Sequence, residues 1–160
     1  MNRKEEYKAF FESVRRDLRG VSPEIVWDGT PRSGNWNVFI KLATYIWYGV
    51  GFTKDHLKDP VLRVDLHLRY KSREETQALF NALQGQRDVI EHGLALSLAE
   101  IKNLRWEGLG DNKAARIAGY RPGFIEDDDA YLKELGVFSV KALVALHGAT
   151  ASRVLEAIGR

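Results

Sequence analysis

Residues 61–70, Val61-Leu62-Arg63-Val64-Asp65-Leu66-His67-Leu68-Arg69-Tyr70, alternate without a break. Leu62, Val64, Leu66, Leu68 and Tyr70 fall on one side, and Arg63, Asp65, His67 and Arg69 on the other. Successive side chains of a strand point to opposite faces, so this is a strand with one buried and one polar face. Such a strand needs an apolar layer against one side of its sheet, and the flanking sequence supplies it.

Immediately downstream, Ser72 followed by Glu75 has the capping-box spacing that starts a helix. Leu79, Leu83, Ile90 and Leu94 line one stripe of that helix, with Phe80 and Val89 beside it. The pattern predicts one central helix covering the apolar side of the strand, loosened at Gly85 and ended at Gly93. Upstream, the stretch from Asn37 to Phe52 is rich in aromatic and β-branched residues and reads as a strand, at least over its second half. Two further strands are expected near 102–107 and 113–120, joined by a turn of Gly, Asp and Asn.

At the start of the chain, Tyr7, Phe10, Phe11, Val14 and Leu18 recur at helical steps, predicting a helix over about 3–19. Gly20 ends that helix and Pro23 blocks its continuation. The segment 22–36 reads as a loop, with Ile25-Val26-Trp27 as a short extended piece. The chain from Asp127 predicts two or three short helices, with a turn at Gly136. The acidic run Glu126 to Asp129 opens the first of them, where carboxylates favour the positive end of the helix dipole. The expected fold is therefore α+β: an antiparallel sheet of about four strands, an N-terminal helix, a central helix packed on one face and a C-terminal helical tail. Residues 1–125 form the core domain, and residues 126–160 a helical tail packed on it.

Composition narrows the chemistry. The 160 residues contain no cysteine, which excludes disulfides, thiolate nucleophiles and cysteine-based metal sites. The formal net charge is +2, with +3 in residues 1–80 and −1 in the remainder, so any nucleic-acid contact needs a local patch. No signal peptide is evident, and no apolar run is expected to span a bilayer. The nearest, Ile40 to Phe52, is interrupted by Lys41. The expectation is a soluble, cytoplasmic protein without a membrane partner.

Five constellations bear on function. The polar strand face, Arg63, Asp65, His67 and Arg69, suits phosphate contacts with Trp47 or Tyr45 beside it, or else a solvated, cross-strand-paired surface. Glu100-Ile101-Lys102 together with Asp65 resembles the carboxylate and lysine set of an Mg²⁺-dependent nuclease, although a long helix separates the two parts. His56, His67, His92 and His147 lie on separate elements in no metal-ligand spacing, so no metal ligand is assigned. The tail has the apolar pattern of half a helix-hairpin-helix unit but lacks its Gly-x-Gly, which leaves a lid or dimer surface as the plainer reading. Gly108-Leu109-Gly110 lacks the strand–helix setting of a phosphate loop, so no cofactor is expected. In the hairpin, Leu104 and Trp106 are expected on the buried face with Ala115 and Ile117, and Arg105, Glu107 and Arg116 on the other.

The order of these pieces resembles the prokaryotic family catalogued as domain of unknown function 4268. The resemblance covers roughly residues 30–125. It rests on Asn35-Trp36, Arg63-Val64-Asp65-Leu66, Ala78-Leu79-Phe80, Asp88-Val89-Ile90-Glu91, Leu104-Arg105-Trp106 and Lys113 to Ala118. Members are soluble prokaryotic proteins in which the domain is often fused behind nuclease-like domains of the PD-(D/E)xK kind. The resemblance implies a setting in DNA defence or maintenance and supplies no catalytic residue. The expected function is an accessory module without a catalytic centre of its own. Its candidate contact residues are Arg63, His67, Arg69, Arg105 and Arg116, with Trp36, Lys71 and Lys113 as secondary candidates. Candidate partners are DNA or RNA, a nuclease-like protein, and a second copy of the chain. The alternatives are the Mg²⁺-dependent nuclease and a homodimerisation or protein-interaction module without nucleic-acid contact.

Overall fold

A computed structural model of the chain describes residues 2–22, 25, 37–98 and 104–159. The elements in order are α1 (Arg3–Val21), β1 (Asn37–Ala43), β2 (Ile46–Lys54), β3 (Pro60–Leu68), α2 (Arg73–Gln84), α3 (Arg87–Ser97), β4 (Arg105–Glu107), β5 (Ala115–Pro122) and α4 (Asp129–Ala157). The strands form one antiparallel sheet in the order β1-β2-β3-β5-β4. The fold is α+β, with an N-terminal helix, central helices on one face of the sheet and a C-terminal helix.

All four described helices lie on the same face. Tyr7, Phe10 and Phe11 of α1 surround the Phe52 ring at centroid distances of 5.8, 5.0 and 6.0 Å. Tyr48 of β2 shares a 2.7 Å hydroxyl hydrogen bond with Thr150 of α4. Trp106 of β4 meets Phe80 of α2 and donates its indole N–H to Glu91 of α3 at 3.0 Å. Tyr48, Phe52 and Trp106 share a side with Leu62, Val64, Leu66, Leu68, Ala115 and Ile117. Between this sheet face and the helices lies the core, which also takes in Leu83, Ile90, Leu94, Leu143 and Leu146.

Four expectations need correction. The sheet has five strands, not about four, because Asn37–Lys54 folds back on itself at Thr44-Tyr45. That turn carries no glycine or asparagine: Tyr45 itself takes the left-handed conformation, φ 66°. The central helix is two helices, broken at Gly85-Gln86, while Gly93 lies inside α3 and does not end it. The tail is a single 29-residue helix that runs through Gly136, so it contains no helix-hairpin-helix turn. Burial of Leu135, Phe138, Leu143, Leu146 and Val154 outweighs the roughly 1 kcal/mol that a mid-helix glycine costs. Finally, α4 is long and apolar enough to cross a membrane by length and composition. Half of its most apolar window is buried inside the protein, as befits a core helix.

The helix starts follow the sequence signals closely. Asn2 and Glu5 form a reciprocal capping box on α1, with both hydrogen bonds at 3.0 Å. Ser72 accepts from the Glu75 amide at 3.1 Å and Asp128 from the Tyr131 amide at 2.9 Å. Residues of the helical tail and of residues 1–125 belong to the same hydrophobic core.

Candidate nucleic-acid interface

With every helix on the apolar side, the opposite face of the sheet carries no helix among the described residues. Its side chains follow from register. Arg63 lies opposite Gly51 on β2 and Tyr120 on β5. Asp65 lies opposite Gly49 and Ala118, and His67 opposite Trp47 and Arg116. Lys41 pairs with Trp47 from the outer strand β1, while Arg105 and Glu107 of β4 pair with Ala118 and Arg116.

Of the five candidate contact residues, Arg63, His67, Arg105 and Arg116 therefore share one face. Arg69 continues the alternation just beyond β3. Its amide donates to the Tyr45 carbonyl at 3.0 Å, which sets its backbone beside the exposed residue Tyr45 at the β1–β2 turn. Lys71 stands over the Tyr70 ring at 5.3 Å, and Lys113 is exposed in the β4–β5 connection. Trp36, Val26 and Trp27, with Glu100 and Lys102 of the nuclease alternative, lie outside the described residues. Among the described residues no group of three or more histidines and carboxylates is arranged to hold a metal ion.

Charges on this face are partly matched. Arg63 Nε stands 3.5 Å from Asp65, and Arg116 Nε 3.5 Å from Glu107. Arg105 approaches Glu107 at 3.9 Å and hydrogen-bonds the His56 ring in the β2–β3 turn. Because a guanidinium only donates, His56 Nδ1 is the acceptor there. Tyr120 donates its hydroxyl to Glu107 at 2.5 Å. Glu107 thus gathers two arginines and a tyrosine, and each of the two carboxylates is engaged. Among the described residues, four cations of this face, Lys41, Arg63, Arg105 and Arg116, stand with two anions, Asp65 and Glu107, and Arg69 follows just beyond β3. Arg69 makes no ion pair among the described residues.

Burial sets the protonation states. Asp65 is only 6% exposed. Burial pushes its carboxyl up to about 6, against the pull of Arg63 and then Arg116, with Glu107 adding to the rise. The single Arg63 contact at 3.5 Å is too loose to offset that desolvation. His67 moves the other way, down to about 4, through burial and the nearby charges of Arg116, Arg63 and Arg69. Its ring stacks on Trp47 with centroids 4.1 Å apart and planes 12° apart. Burial, and then the bond to Glu107, raises Tyr120 to about 12. At neutral pH, therefore, His67 is an uncharged, stacked ring, and Tyr120 is a hydrogen-bond donor.

The hairpin behaves as its alternation predicts. Trp106 packs on the core side, with the Arg87 guanidinium 5.6 Å from its ring, and Arg105, Glu107 and Arg116 occupy the other side. Lys41 and Tyr120 were not among the expected contacts. The position of Lys41 depends on the unsignalled turn at Tyr45. Tyr120 lies at the end of a strand whose polar side the sequence marks only by Arg116. Trp47 is the reverse case: its ring is occupied by His67, while Tyr45 at the β1–β2 turn is exposed.

Comparison with known proteins finds no matching family model, no matching curated protein and no matching solved structure.

Proposed function

We propose that this protein is a nucleic-acid-binding accessory module, without a catalytic centre of its own, that contacts phosphates through the sheet face opposite its described helices. One observation carries the reading: among the described residues, Lys41, Arg63, Arg105 and Arg116 share with Asp65 and Glu107 a face on which no described helix packs. Phosphate contacts fix a nucleic acid on a protein without reading sequence, and arginines suit them through their forked donors. An antiparallel sheet with helices behind it and aromatic and basic side chains in front suits single strands better than duplex grooves. The resemblance to domain of unknown function 4268 supports a setting in DNA defence or maintenance, beside a nuclease-like partner.

A binding titration against single-stranded DNA, duplex DNA and RNA, with and without Mg²⁺, tests this. Affinity is expected to fall with salt at a log–log slope of about −2, as for roughly three phosphate contacts on a single strand. Replacing Arg63 and Arg116 by Ala together should weaken binding and flatten that slope by about 1.4 units. Undetectable or salt-independent binding overturns the reading. Strand cleavage that requires Mg²⁺ would replace it with the nuclease alternative.

A further inference from the structure

Asp65 is the buried charge at the centre of this face, and nothing in the core requires it. Its cross-strand neighbours Gly49 and Ala118 carry no polar side-chain atom. The charges around it come from the rows before and after. Arg63 and Tyr120 stand on one side, and Lys41, Trp47, His67, Arg116 and Glu107 on the other. Arg105 lies on its own row two strands away, held by Glu107 and His56, and Arg69 lies beyond the strand end. The carboxylate contacts Arg63 at 3.5 Å, and the charges of both Arg63 and Arg116 act on it. A carboxylate and a phosphodiester present the same feature to a guanidinium: two oxygens sharing one negative charge.

We propose that ionised Asp65 competes with a phosphate for the Arg63 guanidinium, so that its protonation frees Arg63 for a phosphate of the bound strand. The inference rests on the nucleic-acid reading and adds the regulation of that site. An ionised Asp65 engages Arg63 and repels the ligand. A neutral Asp65 releases Arg63 and makes the face more positive by one charge. Its elevated titration, near 6, puts the change just below neutral pH. His67 stays uncharged over the same interval because its own titration lies near 4.

The test compares the wild-type chain with Asp65→Asn, and with Asp65→Ser as a second neutral variant, in binding a thymidine-only single strand. Affinities are measured at about pH 5.5 and about pH 7.5 at fixed ionic strength. The wild type should bind roughly fivefold tighter at the lower pH. Both variants should bind tightly at both values, and they retain every histidine, so a histidine effect would persist in them. Equal pH profiles for wild type and variants overturn the gate and leave the nucleic-acid reading standing. No binding by any of the three at either pH overturns that reading, and the gate with it.

Discussion

The two faces of β3 share one backbone and one set of ladder hydrogen bonds, yet they hold their side chains by different physics. On the helix side, Leu62, Val64, Leu66 and Leu68 are at most 1% exposed and belong to the hydrophobic core. Burial of that kind is additive and insensitive to pH, each large side chain contributing about 1.5–3 kcal/mol. On the other side, Asp65 and His67 are withdrawn from water while remaining titratable, and both lose their ordinary protonation behaviour. The first face specifies the fold. The second spends some of that stability on keeping charges in fixed positions, which is the arrangement a contact surface needs.

The contrast can be broken by substitution. Leu66→Ala, at a site with no exposure, should cost about 3 kcal/mol of unfolding free energy in a denaturant titration. A loss below about 1 kcal/mol would mean that the helices do not close over this face as described.

Asp65→Asn and His67→Gln should act with opposite sign, because the two groups are linked to folding in opposite directions. Asp65 titrates higher in the folded chain than its ordinary 3.8, so the stability linked to its protonation is present at low pH and lost as pH rises from about 4 through about 6. His67 titrates lower than its ordinary 6.5, so its contribution is present above that value and lost as pH falls from about 6.5 through about 4. With Asp65 removed, stability should fall on acidification across this window. With His67 removed, stability should rise. The effect of Asp65 is at most about 3 kcal/mol, and that of His67, nearer to water, is on the order of 1 kcal/mol. Thermal unfolding of both variants from about pH 4 to about pH 7 decides the matter, and slopes of the same sign would refute the opposition.

The smallest effect belongs to the turn that brings Lys41 onto the polar face. Tyr45 holds a left-handed backbone conformation that a side chain disfavours, and its ring is 54% exposed. Tyr45→Gly should therefore stabilise the chain by about 0.5–1 kcal/mol, measured by the same denaturant titration, while weakening any ligand that stacks on the ring.

These same residues mark how far the sequence could be read. The alternation of 61–70 marks both faces of β3, and the capping box at Ser72 and the acidic run Glu126 to Asp129 mark true helix starts because each acts within one turn. The β1–β2 turn was hidden, since Tyr45 adopts a glycine-like conformation without being glycine. As a result the strand count fell short, and Lys41 was missed. Gly136 read as a turn because glycine is a poor helix former, but the sheet and α1 bury that helix on enough sides to carry it through. In the candidate site, Arg63, His67, Arg105 and Arg116 were legible from alternation alone. Their pairing with Asp65 and Glu107, and the loss of Trp47 to a stack with His67, depend on cross-strand register, which the sequence does not display.

The most direct test of the central claim is a map of which amides and side chains shift in a two-dimensional NMR spectrum when a thymidine-only strand is added. Shifts are expected at the Trp47 indole, His67, the Arg63 and Arg116 guanidinium groups and the Tyr45–Arg69 end of the sheet, with the buried side of β3 unmoved. Shifts confined to the exposed surfaces of α1 to α4, or none at saturating strand concentration, would contradict it.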